Sequence, residues 1–234
     1  VVNGHNGVEF STARMMDYAK ARRLCRFLVV NKIDGTNTRR VLESLRETFG
    51  PECLPLNLPA QDGKSVADCF FRKDGTSDLG PVAEWHQKII DQVVEINEDV
   101  MGKYLEEGEA GLSGQQLHDA FEQCLREGHL VPVCFVSART GAGVKELLDL
   151  IEKLAPNPAE ANPPQFVKGT GANAETIEPH PAPNKHVIAD VFKIVNDPFV
   201  GKLSVFRVYQ GTVKKDTQLY IDDGSKAFKV GHLF

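Results

Sequence analysis

The residues best suited to chemistry lie at the end of an apolar run, in the stretch RFLVVNKIDG at 26–35. Asn31, Lys32 and Asp34 place an amide, an ammonium and a carboxylate just after residues typical of a buried strand. Ligands of open parallel sheets bind beyond the carboxyl ends of the strands. A carboxylate there can accept two adjacent hydrogen bonds, and guanine presents its N1–H and its 2-amino group side by side. Adenine offers no such pair of donors, so Asp34 would discriminate between the two purines.

A second group of small polar residues follows the next long apolar run, LVPVCFV at 130–136. Ser137, Ala138 and Arg139 would therefore lie beside the first group, at the same edge of the sheet. Their backbone N–H groups could donate to guanine O6, which is an acceptor. The small side chains of Ser137 and Ala138 would let a base approach closely, and Ser137 could also brace Asp34.

Lys32 and Asn31 have different parts in this hypothesis. Lys32 could lay its methylene stem along the face of a bound ring. Asn31 carries both a donor and an acceptor, so it could either tie the loop or touch the base. A plainer interpretation is that the quartet is a helix-start turn capped by Asp34 or Thr36, and that Ser137 is an ordinary helix cap.

Strand and helix patterns alternate through the first two thirds of the chain, which favours an α/β fold with a doubly wound parallel sheet. The apolar run before Asn31 lacks alternation, as is typical of a strand buried on both faces. Trp85, Ile89, Val93 and their successors at three- and four-residue spacing predict one long helix from Pro81 to about Glu107. Further helices are expected at 7–22, 36–49, 113–127 (with Ser113 as its N-cap) and 144–154.

The composition changes after the last of these helices. Residues 157–184 are rich in Pro, Gly, Asn and Ala, which predicts a linker. Residues 185–234 predict the first strands of a truncated β-barrel, in segments at 186–195, 202–211, 215–221 and 226–234. Residues 1–156 are expected to form the preceding α/β domain, with an insert at about 51–130. Because β-patterned residues stand at both termini, we expect a piece of a longer protein.

A nucleoside triphosphate site also needs a phosphate cradle of the type G-x-x-x-x-G-K-[ST], and two segments only approach this pattern. LPAQDGKS at 58–65 has Leu58 in place of the first glycine. NDPFVGKLS at 196–204 has Leu203 where Ser or Thr is required. We expect neither segment to bind phosphate. We also interpret His5 as a surface loop residue rather than a catalytic base.

Composition limits the other functional classes. The net charge of −5 argues against a broad basic surface for nucleic acid. The five cysteines lack C-x-x-C spacing and the seven histidines pair with none of them, so we expect reduced thiols and no metal site. No apolar stretch approaches the roughly 20 residues of a membrane helix. The expected location is therefore cytoplasmic, with no membrane partner.

The segments described above resemble bacterial translation elongation factor G, the ribosomal translocase GTPase. The stretch CRFLVVNKID at 25–34 is similar to the family's guanine-specificity motif, and the Ser-Ala pair at 137–138 is similar to its second guanine loop. DPFVGKLS at 197–204 is similar to the opening strands of the family's second domain, a β-barrel. The resemblance extends over nearly the whole chain, and the helical insert distinguishes it from elongation factor Tu.

The resemblance implies the C-terminal part of a P-loop-type GTP-binding domain with a helical insert, followed by part of a β-barrel. It implies an intact protein that binds GTP or GDP with Mg²⁺, contacts the rRNA and proteins of the ribosome, and hydrolyses GTP to drive translocation. The family's phosphate loop, switches, magnesium ligands and catalytic His lie before residue 1. We therefore expect this fragment to be inactive, with no catalytic residue. The residues expected to bind guanine are Asn31, Lys32, Asp34, Ser137, Ala138 and Arg139.

Three departures from the family pattern leave alternatives open. Gly35 replaces the basic residue that usually follows the motif, Arg139 replaces a more usual apolar residue, and the insert is short. The alternatives are a paralogue or ribosome-binding module without translocase activity, and a GTPase that acts away from the ribosome. We also expect the open edge of the truncated barrel to favour self-association.

Overall fold

The parallel sheet predicted from the alternating pattern is present in the computed structural model. The structure describes residues 1–157, 161–169, 171, 174–221 and 226–234. The chain divides into two units, Val1–Pro156 and Asn157–Phe234. Both candidate loops belong to the first unit.

The sheet of the first unit contains four parallel strands in the order β1-β2-β8-β3. They are β1 at Val2–Asn3, β2 at Leu28–Asn31, β3 at Cys53–Pro55 and β8 at Val131–Phe135. The central strands β2 and β8 are neighbours although a long insert separates them in the sequence. Their register pairs Val30 with Phe135, so the residues that follow each strand emerge side by side.

Helices accompany these strands in the order expected for a parallel sheet. They are α1 at Phe10–Ala21, α2 at Thr38–Phe49 and α6 at Val144–Leu154. Helix α1 joins β1 to β2, α2 joins β2 to β3, and α6 follows β8. The face of α2 that the apolar spacing predicted to be buried is confirmed. Val41, Leu42 and Leu45 are all buried.

The start of α2 decides between two interpretations of the Asn-Lys-x-Asp quartet. The N-cap of α2 is Asn37, whose side chain accepts a hydrogen bond from the Arg40 N–H at 3.1 Å. The interpretation of Asp34 or Thr36 as the helix cap is therefore wrong. The side chain of Asp34 remains available for another purpose.

The insert between β3 and β8 begins with a hairpin and continues as helices. The hairpin pairs β4 at Asn57–Ala60 with β5 at Ser65–Asp68, and Thr76–Ser77 (β6) pairs with Gly80–Pro81 (β7). The helices that follow are α3 at Val82–Val94, α4 at Glu98–Glu107, a 3₁₀ turn at Glu109–Gly111 and α5 at Gly114–Glu127. The prediction of Ser113 as the N-cap of α5 is confirmed, within a full capping box.

The prediction of a single helix from Pro81 to about Glu107 is wrong, because α3 ends at Val94 and a separate helix, α4, begins at Glu98. Asn97 begins α4 as its N-cap, and its Oδ1 accepts hydrogen bonds from the N–H groups of Asp99 at 2.9 Å and Val100 at 3.2 Å. An asparagine side chain competes with the helical hydrogen-bond ladder in this way. The continuous apolar stripe therefore belongs to two successive helices.

One contiguous core joins the sheet to the insert. It includes fully buried side chains from β2, α2, α3, α5 and β8, namely Val30, Leu45, Ile89, Phe121 and Phe135. Burial of each such side chain contributes about 1.5–3 kcal/mol. Because the sheet and the insert share this core, the insert helices belong to the same folded body as the candidate loops.

Four cysteines are part of this apolar interior. Cys53, Cys69, Cys124 and Cys134 are buried and form no disulfide. Burial raises the pKa of Cys53 to about 11 and the pKa of Cys124 and of Cys134 to about 12. At neutral pH these side chains behave as small apolar groups, as their sequence neighbours indicated.

The described residues of the second unit form three separate antiparallel strand pairs. They are β9 at Phe166–Lys168 with β10 at Glu175–Ile177, β11 at Ile188–Asp197 with β12 at Gly201–Gln210, and β13 at Gln218–Leu219 with β14 at Phe228–Lys229.

These pairs refine the predictions for this part of the chain. The first pair lies within the predicted linker, of which residues 158–160, 170, 172 and 173 lie outside the described residues. The last two strands are shorter than the segments predicted at 215–221 and 226–234. No closed barrel forms among the described residues of this unit, and no described helix is long and apolar enough to cross a membrane.

Candidate functional site

The first candidate loop, residues 31–35, leaves the carboxyl end of β2 in an uncommon backbone conformation. Lys32 has a φ of 67°, in the left-handed region that residues other than glycine seldom occupy. Its N–H donates to the Oδ1 of Asn31 at 2.8 Å, and its carbonyl accepts from the Thr36 hydroxyl at 2.7 Å. Residues held by their neighbours in such conformations cluster at functional turns.

Asn31 ties the two candidate loops together. Its Oδ1 also accepts a hydrogen bond from the N–H of Ala138, at 2.9 Å, across 107 positions of sequence. The parallel pairing of β2 with β8 makes this contact possible, because both chains leave the sheet at the same edge. Of the two roles left open for Asn31, the role of tying the loop is confirmed.

Asp34 connects the first loop to the second through both of its carboxylate oxygens. The Ser137 hydroxyl donates to Oδ1 at 2.5 Å, and the Arg139 guanidinium donates to Oδ2. The predicted bracing of Asp34 by Ser137 is therefore confirmed. An ionised carboxylate has about four acceptor positions, and the N–H of Asp34 itself interacts with the carboxylate besides Ser137 and Arg139. The carboxylate therefore keeps acceptor capacity for a ligand.

The surroundings of Asp34 favour its charged form. The hydrogen bond from Ser137 lowers the pKa of Asp34 below its ordinary value, against a smaller opposing effect of burial. A hydrogen bond from the N–H of Asp34 itself and the charge of Arg139 lower it further. The side chain of Asp34 is 16% exposed and that of Arg139 is 81% exposed, so water and salt screen their ion pair. At neutral pH the site therefore presents an anionic acceptor to solvent.

The second candidate loop, residues 137–141, is a tight turn closed by its own backbone. The N–H of Ser137 donates a hydrogen bond to the carbonyl of Ala142 at 2.8 Å. The carbonyl of Ser137 accepts one from the N–H of Gly141, also at 2.8 Å. Ser137 is fully buried, whereas Ala138 and Arg139 are exposed. The turn therefore anchors its first residue and presents the next two at the sheet edge.

The end of β1 packs closely against the first loop. The N–H of Gly4 donates to the carbonyl of Asn31 at 2.8 Å, and a Cβ added to Gly4 would lie 2.9 Å from the same oxygen. His5 follows and is exposed, with its Nδ1 at 3.2 Å from the Thr36 hydroxyl. The interpretation of His5 as a surface residue is confirmed, and its contact supports the first loop through Thr36.

Sequence reasoning missed Asn57, which lies at the start of β4 and is fully buried. Its side chain accepts a hydrogen bond from the Phe135 N–H at 2.6 Å and donates to the Phe135 carbonyl at 3.1 Å. Phe135 ends β8, two residues before Ser137. The available signal was a single polar residue inside the apolar segment LPLNLP, since a buried amide requires partners.

The two segments that approached the phosphate-cradle pattern form hairpins instead. Residues 58–65 cover most of β4 and its turn into β5, and residues 196–204 cover the turn between β11 and β12. Among the described residues no helix directly follows either turn, so neither segment has the loop-to-helix form of a phosphate cradle. Within the described ranges, no cluster of three or more His, Cys, Asp or Glu side chains is placed to hold a metal ion.

Comparison with known proteins agrees with this architecture. Residues 1–157 match the family model of the elongation factor Tu GTP binding domain. Elongation factor G from two strains of Ureaplasma parvum serovar 3, ATCC 27815 / 27 / NCTC 11736 and ATCC 700970, is 29% identical over 259 aligned positions. These alignments cover 100% of this chain and 36% of each relative. The chain thus spans about a third of the length of the curated relatives it matches.

A solved structure shows the same similarity in three dimensions. The crystal structure of ttk003000868 from Thermus thermophilus has a TM-score of 0.72 and 29% sequence identity, over 100% of this chain and 34% of that one. The family match includes both candidate loops and all four strands of the parallel sheet. The chain therefore belongs to the family of the elongation factor Tu GTP binding domain and is homologous over its full length to elongation factor G.

Proposed function

We propose that the chain supplies the guanine-recognition part of a translation elongation GTPase of the elongation factor G type. The observation that carries this proposal is the Asp34 carboxylate, held between Ser137 and Arg139 where β2 and β8 end together. GTP and GDP are the proposed ligands, and Mg²⁺ is the proposed ion of the intact protein. The resemblance to elongation factor G implies that the six residues of the two loops contact the guanine base.

In the proposed complex, the guanine N1–H and 2-amino groups donate to the carboxylate oxygens of Asp34. The stem of Lys32 lies along the ring. The backbone N–H of Arg139 faces O6, because the N–H of Ala138 already donates to the Oδ1 of Asn31. Adenine is rejected because it has no pair of donors for the carboxylate, and a site built on such pairing discriminates strongly.

We infer further that the intact protein acts on the ribosome in the cytoplasm, contacting rRNA and ribosomal proteins and hydrolysing GTP to drive translocation. Full-length homology to elongation factor G supports this inference. A paralogue or ribosome-binding module without translocase activity is the second candidate, which the unusual Gly35 and Arg139 favour. Translocation assays with the intact protein would separate the two, because only the first moves tRNA and mRNA.

Residues 1–234 contain no G-x-x-x-x-G-K-[ST] segment. We therefore propose that this chain by itself does not hydrolyse GTP and binds nucleotide weakly, because charge-assisted contacts to phosphate supply much of the affinity for a nucleotide. Calorimetry that gave a micromolar dissociation constant for GDP would contradict weak binding.

We also propose that the second unit comprises a linker followed by the first strands of a barrel, and that its open strand edges favour self-association. Exposed apolar side chains on β11, including Phe192 and Ile194, support this proposal. Light scattering should show association that increases with protein concentration. A strict monomer at high concentration would count against it.

Exchange of Asp34 for asparagine tests base recognition directly. The Nδ2 of asparagine donates a hydrogen bond where the carboxylate accepted one, which suits the C2 carbonyl of xanthine and opposes the 2-amino group of guanine. We expect Asp34→Asn to change the preferred nucleoside from guanosine to xanthosine in NMR titrations. Asp17→Asn, on the exposed face of α1, is the matched control and should keep the preference for guanosine. Unchanged preference in Asp34→Asn would contradict the proposal.

A further inference from the structure

We propose that the β4–β5 hairpin of the insert positions both guanine-binding loops, so that Gly63 and Asn57 act as positioning residues for base recognition. This inference rests on the proposed guanine site but concerns residues outside it. The hairpin includes the segment LPAQDGKS, which is not a phosphate cradle. The family match gives the hairpin no role of its own. Contacts at the turn of the hairpin, along β5 and at its base carry the inference.

The turn of the hairpin lies directly against the backbone of the first loop. A Cβ added to Gly63 would collide with the carbonyl oxygen of Ile33 and would lie 3.4 Å from the backbone nitrogen of Asp34. Gly63 also has a φ of 73°, in the left-handed region. Ile33 is fully buried, so a shift of its backbone would disturb the packed core around it. Glycine is therefore required twice, for its conformation and for the close approach.

Asp78 fixes the turn to the rest of the insert. Its Oδ1 accepts a hydrogen bond from the Asp62 N–H at 3.3 Å, and its Oδ2 accepts one from the Gly63 N–H at 3.1 Å. Its own N–H donates to the carbonyl of Pro59 at 2.8 Å. These three hydrogen bonds of Asp78 hold the turn in place. The turn therefore presents Gly63 to Ile33 in a fixed position.

The base of the hairpin fixes the strand that carries the second loop. Pairing of β3 with β8 reaches only as far as Val133. Beyond that point Asn57 replaces the missing strand, since its amide pairs with both backbone groups of Phe135. Val66 of β5 also packs against Gly143, the N-cap of α6 just after the second loop. A Cβ added to Gly143 would lie 3.1 Å from the Cγ1 of Val66.

One hairpin thus contacts the first loop through Gly63 and the approach to the second loop through Asn57. The Asp34–Ser137 hydrogen bond crosses from one loop to the other, so it depends on the relative position of both. A small displacement of either loop would turn the carboxylate of Asp34 away from the base. The hairpin therefore affects recognition through the loop backbones, without touching the ligand.

Gly63→Ala tests this inference, with Gly108→Ala as the matched control. Gly108 also has a positive φ, of 69°, and nothing lies within 4 Å of an added Cβ, so alanine there introduces backbone strain without the close contact. In the ligand-free chain, Gly63→Ala should shift the amide resonances of Asp34, Gly35 and Ala138, and Gly108→Ala should not. Guanosine affinity should fall about tenfold in Gly63→Ala, as expected for a misplaced binding group, and stay unchanged in the control.

Asp78→Asn supplies a second variant in case Gly63→Ala fails to fold. It keeps one acceptor for the turn and replaces the other with a donor, so weaker shifts of the same resonances are expected. Shifts confined to residues 58–66 in the folded variants, with unchanged guanosine affinity, would overturn the inference. Equal binding of guanosine and adenosine by the unsubstituted chain would overturn the proposed function instead. The ligand-free shifts would then still decide whether the hairpin positions the loops.

Discussion

At the scale of single residues, base recognition depends on the charge of Asp34. The hydrogen bond from Ser137 is the main reason that the pKa of Asp34 is low, and the hydrogen bond from its own N–H and the charge of Arg139 lower it further. A carboxylate that stays ionised remains an acceptor for both guanine donors. Protonation would place a donor against the N1–H or the 2-amino group. The low pKa therefore has a direct functional consequence within the proposed site.

We expect guanosine binding to be constant between about pH 7 and pH 5, because an ordinary aspartate titrates near pH 4 and Asp34 titrates lower. The same shift stabilises the folded chain above the unfolded pKa, and this contribution is lost as the pH falls through the folded pKa. Ser137→Ala should raise the pKa of Asp34 towards its ordinary value, as followed by carboxyl ¹³C NMR. Ser113→Ala, which removes a distant helix cap, should leave it unchanged. An unaltered Asp34 pKa in Ser137→Ala would contradict this explanation.

The residues of the two loops could be predicted from sequence because their types, and the apolar runs before them, carry the signal locally. The role of Asn57 could not be predicted from sequence, because its partner Phe135 lies 78 residues away. Its role depends on where the pairing of β3 with β8 ends, which no local pattern states. The close approach of Gly63 to Ile33 was hidden for the same reason. Local patterns thus identify the groups that could meet a ligand but leave out those that hold them in place.

At the scale of elements, the side chain of Asn57 serves as a short piece of strand. Asn57→Ala would leave the N–H and the carbonyl of Phe135 unpaired in the interior, at about 1–3 kcal/mol for each buried group. We expect the free energy of unfolding to fall by about 2–4 kcal/mol in urea denaturation. Asn37→Ala, which removes the exposed N-cap of α2, should lower it by only about 1 kcal/mol. Equal losses in the two variants would argue against the strand-like role.

The elements themselves were predicted unevenly, for physical reasons. Buried strands and amphipathic helices follow from periodicity, and the parallel order follows from their alternation. The break between α3 and α4 was missed because the apolar stripe keeps its spacing through the interruption, and only the capping side chain of Asn97 marks it. Caps therefore carry information on element boundaries that apolar spacing alone does not.

At the scale of the whole molecule, buried apolar side chains are concentrated in the first unit. Of the described residues of the second unit, only Val230 is a buried apolar side chain. Regions with few buried apolar contacts open most readily. We expect amide hydrogen exchange to be slow in β2, β8 and α5 and fast throughout the strand pairs of the second unit. Protection of β11 and β12 as strong as that of β8 would contradict this expectation.

The most direct test of guanine recognition is an NMR titration of the ¹⁵N-labelled chain with guanosine and, separately, with adenosine. We expect guanosine to produce saturable shifts at the amides of Lys32, Gly35 and Ala138, and adenosine to leave those resonances in place. Equal shifts with the two nucleosides, or guanosine shifts that avoid both loops, would contradict the assignment of Asp34 as the residue that identifies the base.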